Sequence, residues 1–120
     1  PVRYPQRIEV RAWAGPQWSE FGAGARSAFF ATEWRVSARS DRMGVRLDGA
    51  AIEVPAGTML SEPVLVGSVQ ITGGGQPVVT MRDGPTVGGY PKIGWLEEEA
   101  CCRLAQVPPG GTVRFEPLNQ

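Results

Sequence analysis

The chain has 120 residues, 42% of them hydrophobic, with twelve basic and twelve acidic side chains and a formal net charge of zero. That length supports one domain with a real core, and the charge balance offers no basic field for nucleic acid or an anionic membrane surface. Histidine is absent, which excludes a Ser-His-Asp triad and a His-based zinc site.

In chain order, Ile8, Val10 and Ala12 alternate with Glu9 and Arg11, the pattern of a half-buried strand. Gly15-Pro16 stops it, and Pro16 suits the first position of a helix. From Gln17 to Thr32 the residues Trp18, Phe21, Ala25, Ala28 and Phe29 recur at three- and four-residue spacing, which predicts one apolar helix face. Gly22 and Gly24 each weaken that helix by about 1 kcal/mol relative to Ala. Trp34 and Val36 flank Arg35 in a second strand, Val45 and Leu47 flank Arg46 in a third, and Ile52 with Val54 predicts a fourth before Pro55. Met59-Leu60 opens a further segment that Pro63 interrupts.

Val69 and Ile71 bracket Gln70, Val79 and Met81 bracket Thr80, and Gly73-Gly74-Gly75 lies between. This is a hairpin pattern. A Gly/Pro-rich loop from Asp83 to Pro91 leads into a short strand at Ile93–Trp95, broken by Gly94. Three glutamates, 97 to 99, ahead of Ala100 and Arg103 match the charge preference of a helix dipole, so a short helix is expected there rather than a metal site. Val113 and Phe115 alternate with Arg114 in a closing strand. Many short strands with two peripheral helices predict a mainly β protein, an antiparallel barrel or sandwich, in a single domain over residues 1–120.

Few chemical motifs survive inspection. Gly84-Pro85-Thr86-Val87-Gly88-Gly89-Tyr90 lacks the Lys-Ser/Thr of a phosphate-binding loop, and Gly22-Ala23-Gly24-Ala25-Arg26-Ser27 fails the dinucleotide fingerprint. Cys101 and Cys102 are adjacent, a poor geometry for a disulfide and too few ligands for a metal. No apolar run approaches the roughly 20 residues of a membrane span, so a cytoplasmic setting is the simplest expectation. The opening at Pro1 without an initiator Met suggests a piece of something longer.

What remains is a polar set on the loops: Arg42, Gln70, Gln76, Asp83, Thr86, Tyr90 and Lys92. Lys92, the sole lysine, is expected with Arg42 to hold an anionic group. Asp83 is read as a base or as a partner for a substrate nitrogen, and Tyr90 as a donor to a developing oxyanion. Gly88 and Gly89 let backbone approach a ligand closely. On this reading Lys92 and Asp83 face one shared concavity.

Ser40-Asp41-Arg42-Met43-Gly44 with Arg46-Leu47 and Gly49, then Gly75-Gln76-Pro77, then Gly88-Gly89-Tyr90-Pro91-Lys92-Ile93, then Leu104-Ala105-Gln106, resembles the C-terminal half of the allophanate hydrolase subunit 2 family. Leu60-Ser61-Glu62, Gly67 and Val69-Gln70 fit the same pattern. That family includes KipA-like proteins, described as the C subunit of 5-oxoprolinase, and is related to the carboxyltransferase domain of urea carboxylase. The resemblance implies a cyclophilin-like closed antiparallel β-barrel, with the N-terminal half of the subunit as a partner. It also implies an assembly with a KipI-like subunit and a LamB/YcsF-type subunit that spends ATP to open the lactam of 5-oxoproline to glutamate, the isolated fragment being inactive. Alternatives it leaves open are carboxyl transfer from carboxybiotin to urea, a KipA-like regulatory module that relieves a KipI-like inhibitor of a sensor kinase, and a non-catalytic scaffold.

Overall fold

A computed structural model describes residues 4–57 and 61–118. Seven strands close into a barrel in the order β1-β8-β5-β6-β3-β2-β9. These are β1 (Arg7–Ala14), β2 (Trp34–Val36), β3 (Gly44–Asp48), β5 (Ser68–Ile71), β6 (Pro77–Thr80), β8 (Lys92–Trp95) and β9 (Thr112–Pro117). Two further strands, β4 (Glu62–Pro63) and β7 (Val87–Gly88), pair only with each other, as a small antiparallel ribbon outside the barrel. The sequence pattern did not predict this ribbon, because two-residue strands have no periodicity to read.

All neighbours in the barrel are antiparallel except one pair. β1 and β9 run parallel, from Arg7 opposite Thr112 to Ala12 opposite Pro117, while the far end of β1 pairs antiparallel with β8 through Trp13 and Trp95. Inward alternation places Ile8, Val10 and Ala12 of β1 against Val113 and Phe115 of β9, all buried. The expected hairpin forms between β5 and β6, with Val69 opposite Val79. Its turn closes through the amide of Gly75, which donates to the Thr72 carbonyl at 2.8 Å. Gly75 has φ of 88°, a region that costs a side chain energy. Gly94 does not break β8. It lies within the strand, facing Ala12 and the Phe29 ring.

The predicted helix over Gln17–Thr32 is divided. A short 3-10 turn spans Trp18–Glu20, and α1 begins only at Ala23 and runs to Ala31. Gly22, with φ −68° and ψ 161°, is extended and resets the chain between them. Ile52–Val54 is likewise not a strand, although Ile52 is buried and its amide donates to the Gly75 carbonyl at 2.9 Å. A single rung to a hairpin turn, with Pro55 following, cannot build a ladder. The segment expected at Met59-Leu60 lies outside the described residues. α2 spans Glu98–Ala105 with Glu98 and Glu99 in its first turn and Arg103 in its last, as the charge pattern predicted. Among the described residues no helix is long and apolar enough to cross a membrane.

α1 is fixed to the barrel by aromatic packing. The Phe29 ring stacks on Phe115 with centroids 4.5 Å apart, and its carbonyl accepts from the Trp34 indole at 3.1 Å. Phe29 and Trp34 have no measurable exposure. Phe29→Ala is therefore expected to cost about 3–5 kcal/mol, read as a lowered midpoint in urea denaturation, whereas Phe30→Ala, on the half-buried side of the same helix, costs clearly less.

Candidate functional site

The ribbon and the barrel wall enclose a cavity of about 460 Å³. Barrel strands supply Arg46 of β3, Gln70 of β5 and Val78 and Thr80 of β6, and the opposite side is Val87, Gly88, Gly89 and Tyr90. Gln70 is the centre of this arrangement. The residue is 6% exposed, its amide nitrogen lies 3.5 Å from the Thr80 hydroxyl, and its carboxamide oxygen is buried without a hydrogen-bond partner. Buried polar atoms are nearly always paired, so this orphan acceptor on a cavity wall is an exception to the rule. A methyl added at Gly88 would stand 2.7 Å from that oxygen and 2.8 Å from the Val64 side chain. Glycine is thus what keeps space open in front of Gln70. Tyr90, half exposed, completes the mouth.

Four of the sequence-predicted residues, Gln70, Gly88, Gly89 and Tyr90, therefore meet at one cavity. The others do not. Arg42 and Asp83 line a separate, larger depression of about 680 Å³, floored by Val36, Val45, Met81 and Leu104. Their side chains form an ion pair at 3.7 Å and are 92% and 54% exposed, a geometry that contributes little to stability. Asp83 reaches this position because its amide donates to the Arg42 carbonyl, and Met81 likewise donates to Met43. Gln76 donates to the Gly49 carbonyl at 2.6 Å, bracing the hairpin turn. The side chain of Thr86 is exposed, and its carbonyl accepts from Val64.

Lys92 and Asp83 do not share a concavity. Lys92 lines neither cavity. Its side chain is 4% exposed, and its ammonium donates to the Glu62 carboxylate at 2.9 Å. Gln17 completes the arrangement: its amide nitrogen donates to the same Glu62 oxygen at 2.8 Å, its carbonyl oxygen accepts from the Lys92 backbone at 2.9 Å, and its own backbone amide donates to the Lys92 carbonyl. Close approach of the two segments depends on Gly15, where any β-carbon would collide with the Lys92 carbonyl. A lysine followed by the buried strand residue Ile93 is inward-facing only if an acid meets it. That was the one sequence signal for this network, and it did not say which acid. Glu62 lies thirty residues away, in a stretch that the family resemblance covers but that shows no strand alternation.

The hydrogen bond from Lys92, reinforced by its charge and by Gln17 and opposed by desolvation, holds the Glu62 carboxyl below its ordinary value of 4.5. At Cys101, burial pushes the thiol up, helped by Cys102 and Glu98, which leaves it protonated and inert. Among the described residues no cluster of three or more His, Cys, Asp or Glu is placed to hold a metal ion.

The closed barrel carries an attached ribbon over a polar cavity, and comparison with known proteins gives its family. Residues 1–117 match the family "carboxyltransferase domain, subdomain A and B", and the chain belongs to it. It is 39% identical over 107 residues to the C subunit of 5-oxoprolinase from Escherichia coli, covering 88% of this chain and 34% of that protein. It is 30% identical over 132 residues to urea amidolyase of Saccharomyces cerevisiae, covering 96% of this chain and 7% of that one. The crystal structure of K. lactis urea amidolyase superposes with a TM-score of 0.85 at 25% identity, over 99% of this chain and 8% of the other. The chain thus spans about a third of the length of the 5-oxoprolinase protein it matches.

The lowered Glu62 pKa fixes the sign of a pH effect. Stabilisation by the pair is fully present above the ordinary carboxyl value of 4.5 and is lost as pH falls through the lower folded value. The gap in urea midpoint between the wild type and Glu62→Gln should be constant from neutral pH down to about 5 and close below 4.5.

Proposed function

We propose that the chain is the C-terminal domain of a protein of the 5-oxoprolinase C-subunit type, working in an assembly that opens the lactam of 5-oxoproline to glutamate at the expense of ATP. The observation that carries this reading is the unpartnered, buried Gln70 oxygen on the cavity wall. A lactam N–H supplies the missing donor, and satisfying a buried acceptor gives strong discrimination for amide substrates. The Tyr90 hydroxyl then donates to the ring oxygen as it gains negative charge, and the absent side chains at Gly88 and Gly89 let the ring lie close to the backbone. Arg46, whose side chain borders the same cavity, is the cation nearest to hand for the substrate carboxylate.

Asp83 and Arg42, on the far side of the Asp41–Met43 loop, are assigned to the contact with the rest of the subunit. Lys92 supports the wall through Glu62 and does not touch the substrate. Lys92, the sole lysine, is committed to Glu62. On this reading ATP is held by the KipI-like and LamB/YcsF-type partner subunits or by the remainder of this subunit. The likeness to urea amidolyase supports a second reading, carboxyl transfer to urea, whose N–H groups satisfy Gln70 equally well.

Gln70→Leu separates function from fold. Leucine keeps the volume and removes an unsatisfied buried acceptor, so the variant should be as stable as the wild type or more so. In the reconstituted full-length assembly the same change should raise the KM for 5-oxoproline about 10- to 100-fold, the equivalent of one lost buried hydrogen bond. Tyr90→Phe should lower kcat with little change in KM. 5-Oxoproline-dependent ATP hydrolysis and urea-dependent carboxylation, run side by side, decide between the two substrates. A Gln70→Leu assembly with wild-type KM on both removes the cavity from the reaction.

A further inference from the structure

Glu62 borders neither cavity, yet it stands on β4 of the ribbon whose other strand, β7, supplies Val87 and Gly88 to the wall facing Gln70. Two strands of two residues each cannot hold themselves in place, so the ribbon must be fastened to the barrel. Apolar burial fastens it at one point. Val64 is 6% exposed, while Leu65, Val66 and Val87 are 64%, 48% and 57% exposed. The second fastening is polar: Lys92 of β8 and Gln17 of the turn after β1 both donate to one oxygen of Glu62.

From this geometry we infer that Glu62 is a positioning residue, clamped by Lys92 and Gln17 so that the β4–β7 ribbon stands as a seated, openable wall over Gln70. Its consequence for substrate rests on the reading of the cavity given above, whereas the seating itself does not. The clamp is asymmetric in a useful way. Lys92 is sealed within the barrel wall and cannot follow the ribbon, while the Glu62 side chain is 37% exposed and can leave. Opening leaves a buried ammonium without its counter-charge, a strongly unfavourable state, so the ribbon is held shut unless something meets that cost. Ligand contacts with Gly88 and Gly89 are made only when it is shut, which ties substrate affinity to the clamp.

Amide hydrogen exchange on the 120-residue chain tests the seating directly. The Val64 amide reports on the ribbon, since it donates to the Thr86 carbonyl at 2.9 Å, and Ile71, whose amide donates to the Pro91 carbonyl, reports on the barrel. Glu62→Ala should speed exchange at Val64 about tenfold or more and leave Ile71 unchanged. Lys92→Met should do the same, and the double variant should be no faster than the faster single one, as expected of residues acting through one contact. Exchange unchanged at Val64, or raised equally at Val64 and Ile71, overturns the clamp. In the reconstituted assembly Glu62→Ala should raise KM with kcat largely kept. A wild-type KM beside fast Val64 exchange overturns its positioning role. A wild-type assembly inactive on 5-oxoproline and on urea counts against the function proposed above, and the exchange result still decides the clamp.

Discussion

A seven-stranded sheet has two free edges, and everything described here depends on their being joined. The joint is β1 alongside β9, parallel from Arg7 opposite Thr112 to Ala12 opposite Pro117. Edge amides and carbonyls left open would need water or another chain. Closure satisfies them and traps Ile8, Val10, Val113 and Phe115 in a common interior. α1 then packs against β9, with Phe29 stacked on Phe115 and the Trp34 indole of β2 hydrogen-bonded to the Phe29 backbone. On another part of the barrel, β5 and β6 present Gln70 and Thr80 to a cavity that β3 also lines through Arg46.

The polar groups divide by whether the protein itself pairs them. Lys92, Gln17 and Glu62 satisfy one another within the protein and contribute architecture. Gln70 is left with an acceptor that nothing in the described chain fills. In a well-packed domain an unpaired atom of this kind costs stability, and the proposed function gives this one a partner. The exposed pair of Arg42 and Asp83 sits between these extremes and suits a surface that another body covers. The chain spans about a third of the length of a 5-oxoprolinase C-subunit relative, and on the proposed reading this surface meets the rest of the subunit.

Much of the fold was legible because it is written in short-range patterns. Alternation in Ile8–Ala12, the bracketing of Gln70 by Val69 and Ile71, and the acidic start and basic end of Glu98–Ala105 each report burial or charge that the local residues alone determine. The misreadings came where distant contacts decide. Gly22 divides what periodicity joins, and Ile52 is buried without a strand to belong to. Of the candidate site, the glycines at 88 and 89 and the flanking Tyr90 were visible as a loop that lets a ligand in. The partner of Lys92 was not, since Glu62 and Gln17 reach it only through the folded barrel. Placing Lys92 at a shared concavity with Asp83 treated a charged side chain as solvent-facing by default, and burial reversed that.

The parallel seam also sets how the domain bears load. The entry to β1 and the exit from β9 lie at opposite rims of the barrel, so tension applied through the two ends pulls those strands past each other lengthwise. Their hydrogen bonds are then strained together rather than peeled one after another. Forced unfolding is governed by the barrier to that first slip, so this parallel pairing resists a pull along the strands better than a pair that peels one bond at a time.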